Sequence, residues 1–237
     1  AILTPFGSRV RAMGEFGVED LSFGEFKNKQ GSSAYQKVVN SKFNDGKISW
    51  FGGTISNDRR NHRVNPSKGW KWELRDKVAM PSMNRDHSFI KIDGSAAWHT
   101  SLMAQEKLVL SAFGKAGAVA SLDSEKPIPF KEIYHMGGVN SVRGFKYGEA
   151  GPRWDVSTKV LAPLGATKMM LGSLELSTPV GEGDQAPRAY LFYDIGGGWD
   201  TPIPNGLTRS DFDSLASTNT DKSVDELFKS QVKRDRF

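Results

Sequence analysis

Apolar and polar residues alternate with a period of two along much of the chain, which is typical of β-strands with two different faces. Helical periodicity is scarce. The alternation is strongest in residues 70–75, 88–98, 168–178 and 189–195, and weaker in residues 9–18, 47–56 and 106–119. The pattern predicts an all-β, antiparallel fold of about seven or eight strands.

Two architectures produce such alternation. A soluble β-sandwich turns its apolar face inward, whereas a transmembrane barrel turns it towards lipid and keeps a polar lumen. Several stretches alternate for about ten residues, which is long for a soluble strand of about five or six residues and suits a membrane-crossing strand. Aromatic residues that we expect near strand ends favour interfacial girdles: Trp50, Trp70, Trp98 and Tyr193. The pattern alone leaves both architectures open.

Composition narrows the class of protein. The longest stretch without Asp, Glu, Lys or Arg covers residues 94–105, too short for a membrane-spanning helix of roughly 18 uncharged residues. The chain has no cysteine, which excludes disulfides, thiolate metal sites and a cysteine nucleophile. The net charge is +5, but basic residues are scattered among 27 acidic ones. We therefore expect no nucleic-acid partner.

Candidate catalytic chemistry is sparse. The four histidines, His62, His87, His99 and His135, lie far apart without metal-ligand spacing. Residues 196–198 are three consecutive glycines, but the Lys-Ser/Thr pair of a phosphate-binding loop is missing. No serine stands in a Gly-x-Ser-x-Gly elbow. The sequence predicts a protein that is not an enzyme, with no catalytic residue, metal or cofactor.

Residues 130–145 carry the most informative pattern. They read FKEIYHMGGVNSVRGF, and Gly151, Pro152 and Arg153 follow. This order of a Gly-Gly pair, a Val-Arg-Gly-Phe tetrapeptide and a Gly-Pro pair resembles the BamA-like family of outer-membrane β-barrel assembly factors, which has mitochondrial and plastid relatives. Segments 57–69, 172–179 and 191–200 also look like the family's neighbouring strands. The resemblance implies a functional loop motif made of Gly137, Gly138, Val142, Arg143, Gly144 and Phe145.

The resemblance also implies partners for Arg143. In the family the loop folds back into the barrel lumen, where its arginine meets acidic residues that correspond to Glu175 and Asp194. Alternation independently places both acids on the polar faces of their strands. A guanidinium binds carboxylates bidentately and keeps its charge. Glycines of the motif supply the tight backbone conformations that let the loop double back: Gly137, Gly138 and Gly144.

The family's function is the expected function of this chain. The resemblance implies an assembly factor that folds β-barrel precursors and inserts them into the outer membrane without nucleotide hydrolysis. Implied partners are unfolded barrel precursors, accessory lipoproteins of an assembly complex and outer-membrane lipid. The implied location is the outer membrane of a Gram-negative bacterium, or alternatively of a mitochondrion or plastid. The alternatives are a polypeptide-exporting pore of the same superfamily and, in another class, a soluble β-sandwich binding module.

The domain prediction has three parts. Residues 1–237 form a β-barrel domain, residues 121–168 form a long loop with the motif, and residues 202–237 form a polar loop or tail. A capping-box pattern at Ser223 predicts a short helix in that tail. Since family barrels have sixteen strands, we expect this chain to be part of a larger barrel. The choice between assembly and export stays open, because the 237 residues contain none of the family's periplasmic repeats, which distinguish the subfamilies.

Overall fold

The computed structural model describes residues 2–6, 10–22, 46–80, 82, 86–123, 126, 128–157, 160–163, 165–181 and 187–200. The polar tail and its predicted helix lie outside these residues. No helix within the described ranges is long and apolar enough to span a membrane.

Ten strands and two short 3-10 turns form the described part of the chain. The strands are β1 (Ile2–Phe6), β2 (Val10–Leu21), β3 (Gly46–Asp58), β4 (Gly69–Ala79), β5 (Phe89–Ser101), β6 (Val109–Ser121), β7 (Arg153–Ser157), β8 (Val160–Pro163), β9 (Lys168–Pro179) and β10 (Arg188–Trp199). The turns are η1 (Ala104–Glu106) and η2 (Phe130–Glu132). Each of the seven predicted strands overlaps a strand of this set.

Eight strands form one antiparallel sheet in the order β1-β2-β3-β4-β5-β6-β9-β10. Neighbours in the sheet are neighbours in sequence, except where β6 pairs with β9. Between those two strands lies the segment that we call the inner loop, residues 122–167. It contains η2 and the small β7-β8 hairpin. The prediction of an all-β antiparallel fold is confirmed.

The two faces of the sheet differ in chemistry. In the uninterrupted register, residues of one parity in each strand line up across the whole sheet. We call the face that bears Glu175 and Asp194 the inner face. Charged residues on it include Glu19, Glu73, Arg75, Lys77, Lys91, Asp93 and Lys115. The opposite, outer face carries exposed Phe16, Ile55, Trp72, Leu74, Ile92, Trp98, Met170, Leu174, Leu191, Tyr193 and Ile195.

An exposed apolar face of this extent marks contact with another apolar phase. Polar inside and apolar outside is the arrangement of an outer-membrane barrel, whose strands place alternate residues against lipid. The prediction that Trp50 belongs to an interfacial girdle is wrong. Trp50 lies on the inner face, where its indole Nε1 donates a 2.7 Å hydrogen bond to Glu19 Oε1. Trp70 and Trp98 lie on the outer face and oppose each other in register.

The hydrophobic core lies between the inner face and the inner loop. The strands supply Ile48, Ala79, Phe89, Val119 and Met169, and the loop supplies Tyr134, Met136 and Val142. Burial of these loop side chains holds the loop on the sheet through the hydrophobic effect. Residues of the predicted long loop are thus packed against the sheet.

Candidate functional site

The Val-Arg-Gly-Phe tetrapeptide of the inner loop lies in a tight turn whose backbone conformation requires glycines. The backbone N–H of Gly138 donates a 2.8 Å hydrogen bond to the carbonyl of Phe145, which closes the turn. Gly137 has a φ of 116°, and a Cβ at this position would collide with the carbonyl of Lys146. Gly144 has a φ of 91°. L-residues with side chains rarely adopt such conformations, so the sequence folds this way only with these glycines.

Arg143 projects from this turn onto β9 and β10. Its Nε and Nη2 donate to the two carboxylate oxygens of Asp194 at 2.7 and 2.6 Å, in a bidentate pair. Its Nη1 donates to Glu175 Oε1 at 2.5 Å, and Nη2 also donates to Ser173 Oγ at 2.8 Å. The structure therefore brings together the arginine and both acids that the sequence singled out.

Further contacts fix the orientation of this arginine. Its backbone N–H donates to Asp194 Oδ2 at 3.0 Å, and its Cζ lies 3.7 Å from the ring centroid of Phe192. Ser173 Oγ donates to Asp194 Oδ1 at 2.6 Å, which holds that carboxylate in place. Guanidinium groups bind both carboxylates and aromatic faces. Arg143 thus uses its planar shape as well as its charge.

The electrostatics of the site favour a permanent ion cluster. One guanidinium faces two carboxylates, and the side chain of Asp194 is only 4% exposed. Hydrogen bonds to Asp194 outweigh the effect of burial and, with those to Glu175, raise the pKa of Arg143 above its ordinary value. The guanidinium of Arg143 therefore keeps its positive charge at every accessible pH. Such an arrangement can attach the loop to the sheet and fix its position.

The remaining motif residues serve the turn and the core. Val142 is 4% exposed and packs in the core cluster beside the arginine. Phe145 contributes its carbonyl to the turn, while its side chain is half exposed. Within the described ranges, no group of three His, Cys, Asp or Glu residues is arranged to hold a metal ion.

Comparison with known proteins identifies the family. The model of the Omp85 superfamily domain matches residues 4–222. The chain belongs to the Omp85 superfamily. It is 28% identical over 154 residues to the outer membrane protein assembly factor BamA of Neisseria meningitidis, covering 64% of this chain and 18% of BamA. It is 27% identical over 162 residues to a SAM50-like protein of Schizosaccharomyces pombe, covering 66% of this chain and 33% of that protein.

A solved structure supports the fold of this Omp85 chain. The crystal structure of Haemophilus ducreyi BamA lacking POTRA domains 1–3 superposes with a TM-score of 0.65 at 20% identity, covering 84% of this chain and 40% of that one. The described sheet corresponds to part of an outer-membrane β-barrel, which excludes the soluble sandwich. It spans a third or less of the curated relatives described above.

Two residues of the arginine site in this Omp85 chain escaped the sequence prediction. Ser173 and Phe192 contact Arg143. Both lie in segments that resemble the family's strands, yet the sequence analysis gave neither a role at the site. The available signal was parity: each lies two residues from a predicted acid and therefore on the same face of its strand. A further group around Glu132 gave no sequence signal, because its members are far apart in the chain.

Proposed function

We propose that the full-length protein folds β-barrel precursors and inserts them into the outer membrane. Membership of the Omp85 superfamily and similarity to a protein named as an outer membrane protein assembly factor support this function. The main structural support for this function is the attachment of Arg143 to Asp194 and Glu175 on the polar inner face of a sheet whose outer face is apolar. This is the arrangement that the family resemblance implied.

The mechanism rests on the chemistry of strand edges. An unpaired edge strand presents N–H and C=O groups that can pair with an incoming strand. In hydrocarbon such groups must be paired, so a precursor strand gains hydrogen bonds as it enters beside a barrel edge. Folding and the burial of apolar side chains in lipid then supply the driving force, and no nucleotide is consumed. The substrates are unfolded outer-membrane barrel precursors.

Arg143 has a positioning role in this proposal. By holding the inner loop on β9 and β10, it keeps the polar inner face filled and the sheet in one shape. It carries out no chemistry on the substrate. Accessory lipoproteins of an assembly complex are the proposed partners of the intact protein, and co-purification from detergent-solubilised outer membranes tests this part of the proposal.

Depletion of the full-length protein tests the function. We expect the steady-state levels of many unrelated outer-membrane barrel proteins to fall, because each depends on the same insertion step. Quantitative proteomics of isolated outer membranes measures this, with lipoproteins and periplasmic proteins as the unaffected controls. Loss of a single secreted protein, with barrel levels unchanged, would overturn the proposal in favour of a polypeptide-exporting pore.

A further inference from the structure

A second polar contact holds the inner loop at a distance from Arg143. Glu132, at the end of η2, is only 6% exposed. Lys77 of β4 donates to its Oε1 at 2.5 Å, and Lys91 of β5 donates to its Oε2 at 3.2 Å. Lys91 also donates to the backbone carbonyl of Glu132 at 2.9 Å. Two adjacent strands therefore bind one loop residue, through hydrogen bonds to its side chain and to its backbone.

Neighbouring loop residues add contacts to the same region of the inner face. Lys131 forms an ion pair with Glu19 of β2. The hydroxyl of Tyr134 donates a 2.9 Å hydrogen bond to Asp93 Oδ1 of β5. With Glu132 and its two lysines, the cluster contains three ammonium and three carboxylate groups. Its charges balance, which is the condition for placing ions in a partly dehydrated interior.

The ionised form of Glu132 is the one that binds. Burial opposes ionisation of this carboxyl, but the hydrogen bond from Lys77 and the charge of Lys91 outweigh it and lower its pKa. The pKa lies below the ordinary value of 4.5, so the carboxylate persists at neutral pH. Removing its charge would leave two ammonium groups facing a neutral side chain.

The two attachments use different strands. Glu132 and its neighbours contact β2, β4 and β5, whereas Arg143 contacts β9 and β10. We call residues 130–136 the root of the inner loop and residues 138–145 its tip. Between them lies Gly137, whose backbone φ of 116° is open to few other residues. The ion pairs of the root and those of the tip therefore lie on different strands, and the two segments are joined at a glycine.

We propose that Glu132 is a positioning residue that holds the root of the inner loop on β4 and β5 independently of Arg143. The tip can then leave β9 and β10 while the root stays in place. The proposed role of Glu132 rests on the fold and on these contacts, and its test measures the position of the loop. It therefore does not depend on the proposed assembly function.

Buried reporters in the root and the tip test this independence. Met136 is 2% exposed and lies in the root, and Val142 is 4% exposed and lies in the tip. The full-length protein, freed of any other cysteine, carries either M136C or V142C, and maleimide labelling is measured in isolated outer membranes. We expect R143A to raise labelling of V142C severalfold while M136C stays protected. We expect E132Q to raise labelling of M136C severalfold.

Coupling between the two charges separates the proposed role from a general loss of packing. In E132Q, Lys77 still has Glu19 at 3.6 Å, whereas Lys91 loses its carboxylate partner. We expect K91Q to raise M136C labelling as well, and K91Q/E132Q to raise it by less than the two single variants combined, because both changes remove the same ion pair. E73Q is the matched control, since Glu73 pairs with Lys71 and Arg75 within its own strand. It should leave both reporters protected.

Two results would overturn the proposal. Equal exposure of both reporters in R143A would mean that the loop detaches as one unit. Additive effects of K91Q and E132Q on M136C labelling would mean that the two residues do not hold the root as a pair. Heat-dependent mobility of the barrel in gels verifies that each variant is folded, and K91Q serves as the test if E132Q fails to fold, because Glu132 then keeps Lys77.

Discussion

At the scale of single residues, the shape of the Arg143 side chain matters as much as its charge. Its guanidinium makes four side-chain hydrogen bonds to Asp194, Glu175 and Ser173. A lysine ammonium has three donors on one atom and cannot form the bidentate pair. The family resemblance implied this arginine and both acids, and alternation independently placed the acids on the polar faces of their strands.

R143K and R143A should therefore differ in severity. R143K keeps a positive charge beside the two carboxylates and should lose part of the assembly activity. R143A leaves both carboxylates without a cationic partner and should weaken loop attachment by about 2–4 kcal/mol, the scale for breaking a partly buried ion pair. Steady-state levels of outer-membrane barrel proteins measure the effect. R75K is the matched control, because Arg75 is more exposed and pairs with Glu73 in its own strand.

Barrel levels in the R143A strain that equal those of the parent would contradict this prediction. Equal levels in R143K and the parent, with a defect in R143A, would mean that charge alone suffices and that the bidentate geometry has no role.

At the scale of elements, alternation predicted the long strands but not the packing of the inner loop on the sheet. Strands of eleven to thirteen residues, such as β4 and β5, display the period-two pattern many times over. The β7-β8 hairpin has strands of five and four residues, too few to show a period. The loop showed no apolar period, because its buried side chains, Tyr134, Met136 and Val142, are separated by a histidine, two glycines and a Val-Asn-Ser run.

The turn that carries Arg143 should not tolerate a side chain at Gly137. In G137A the new Cβ meets the Lys146 carbonyl, and the residue must keep a positive φ. We expect a displaced tip and a cost of about 1–3 kcal/mol for the strained backbone. Protease sensitivity of the loop in isolated outer membranes measures it. G114A is the control, because a Cβ at Gly114 on the outer face meets nothing within 4 Å.

A G137A protein whose loop resists protease as well as the parent does would show that the turn can form without glycine at this position. Because G137A and G114A add the same methyl group, a defect in both would point to a general effect of the substitution.

At the scale of the whole molecule, the sheet separates a polar inner face from an apolar outer face. Charged residues and the loop occupy the first, and large exposed apolar side chains occupy the second. A modest hydrophobic share of 38% suits this design, because each strand needs apolar residues on only one side. The outer face meets lipid, so charge on it is costly where the same charge on the inner face is not.

L174R and S95R should separate the two faces. Leu174 lies on the outer face of β9, and an arginine there should destabilise the barrel by about 2–4 kcal/mol if it lies near the membrane midplane. Ser95 lies on the inner face of β5 opposite Glu73, so S95R adds a cation beside an acid. The folded fraction during urea titration in lipid vesicles measures both. A milder effect of L174R than of S95R would reverse our assignment of the faces.

The sequence by itself determined which residues share a face and where the chain can turn sharply. Alternation is a local property of an extended backbone, and a positive φ is a local demand that glycine meets. Tertiary structure alone decided which face Trp50 occupies, how the inner loop packs, and that Glu132 meets Lys77 and Lys91, which lie 55 and 41 residues away. Contacts over such separations depend on the register of the whole sheet, and no local pattern encodes them.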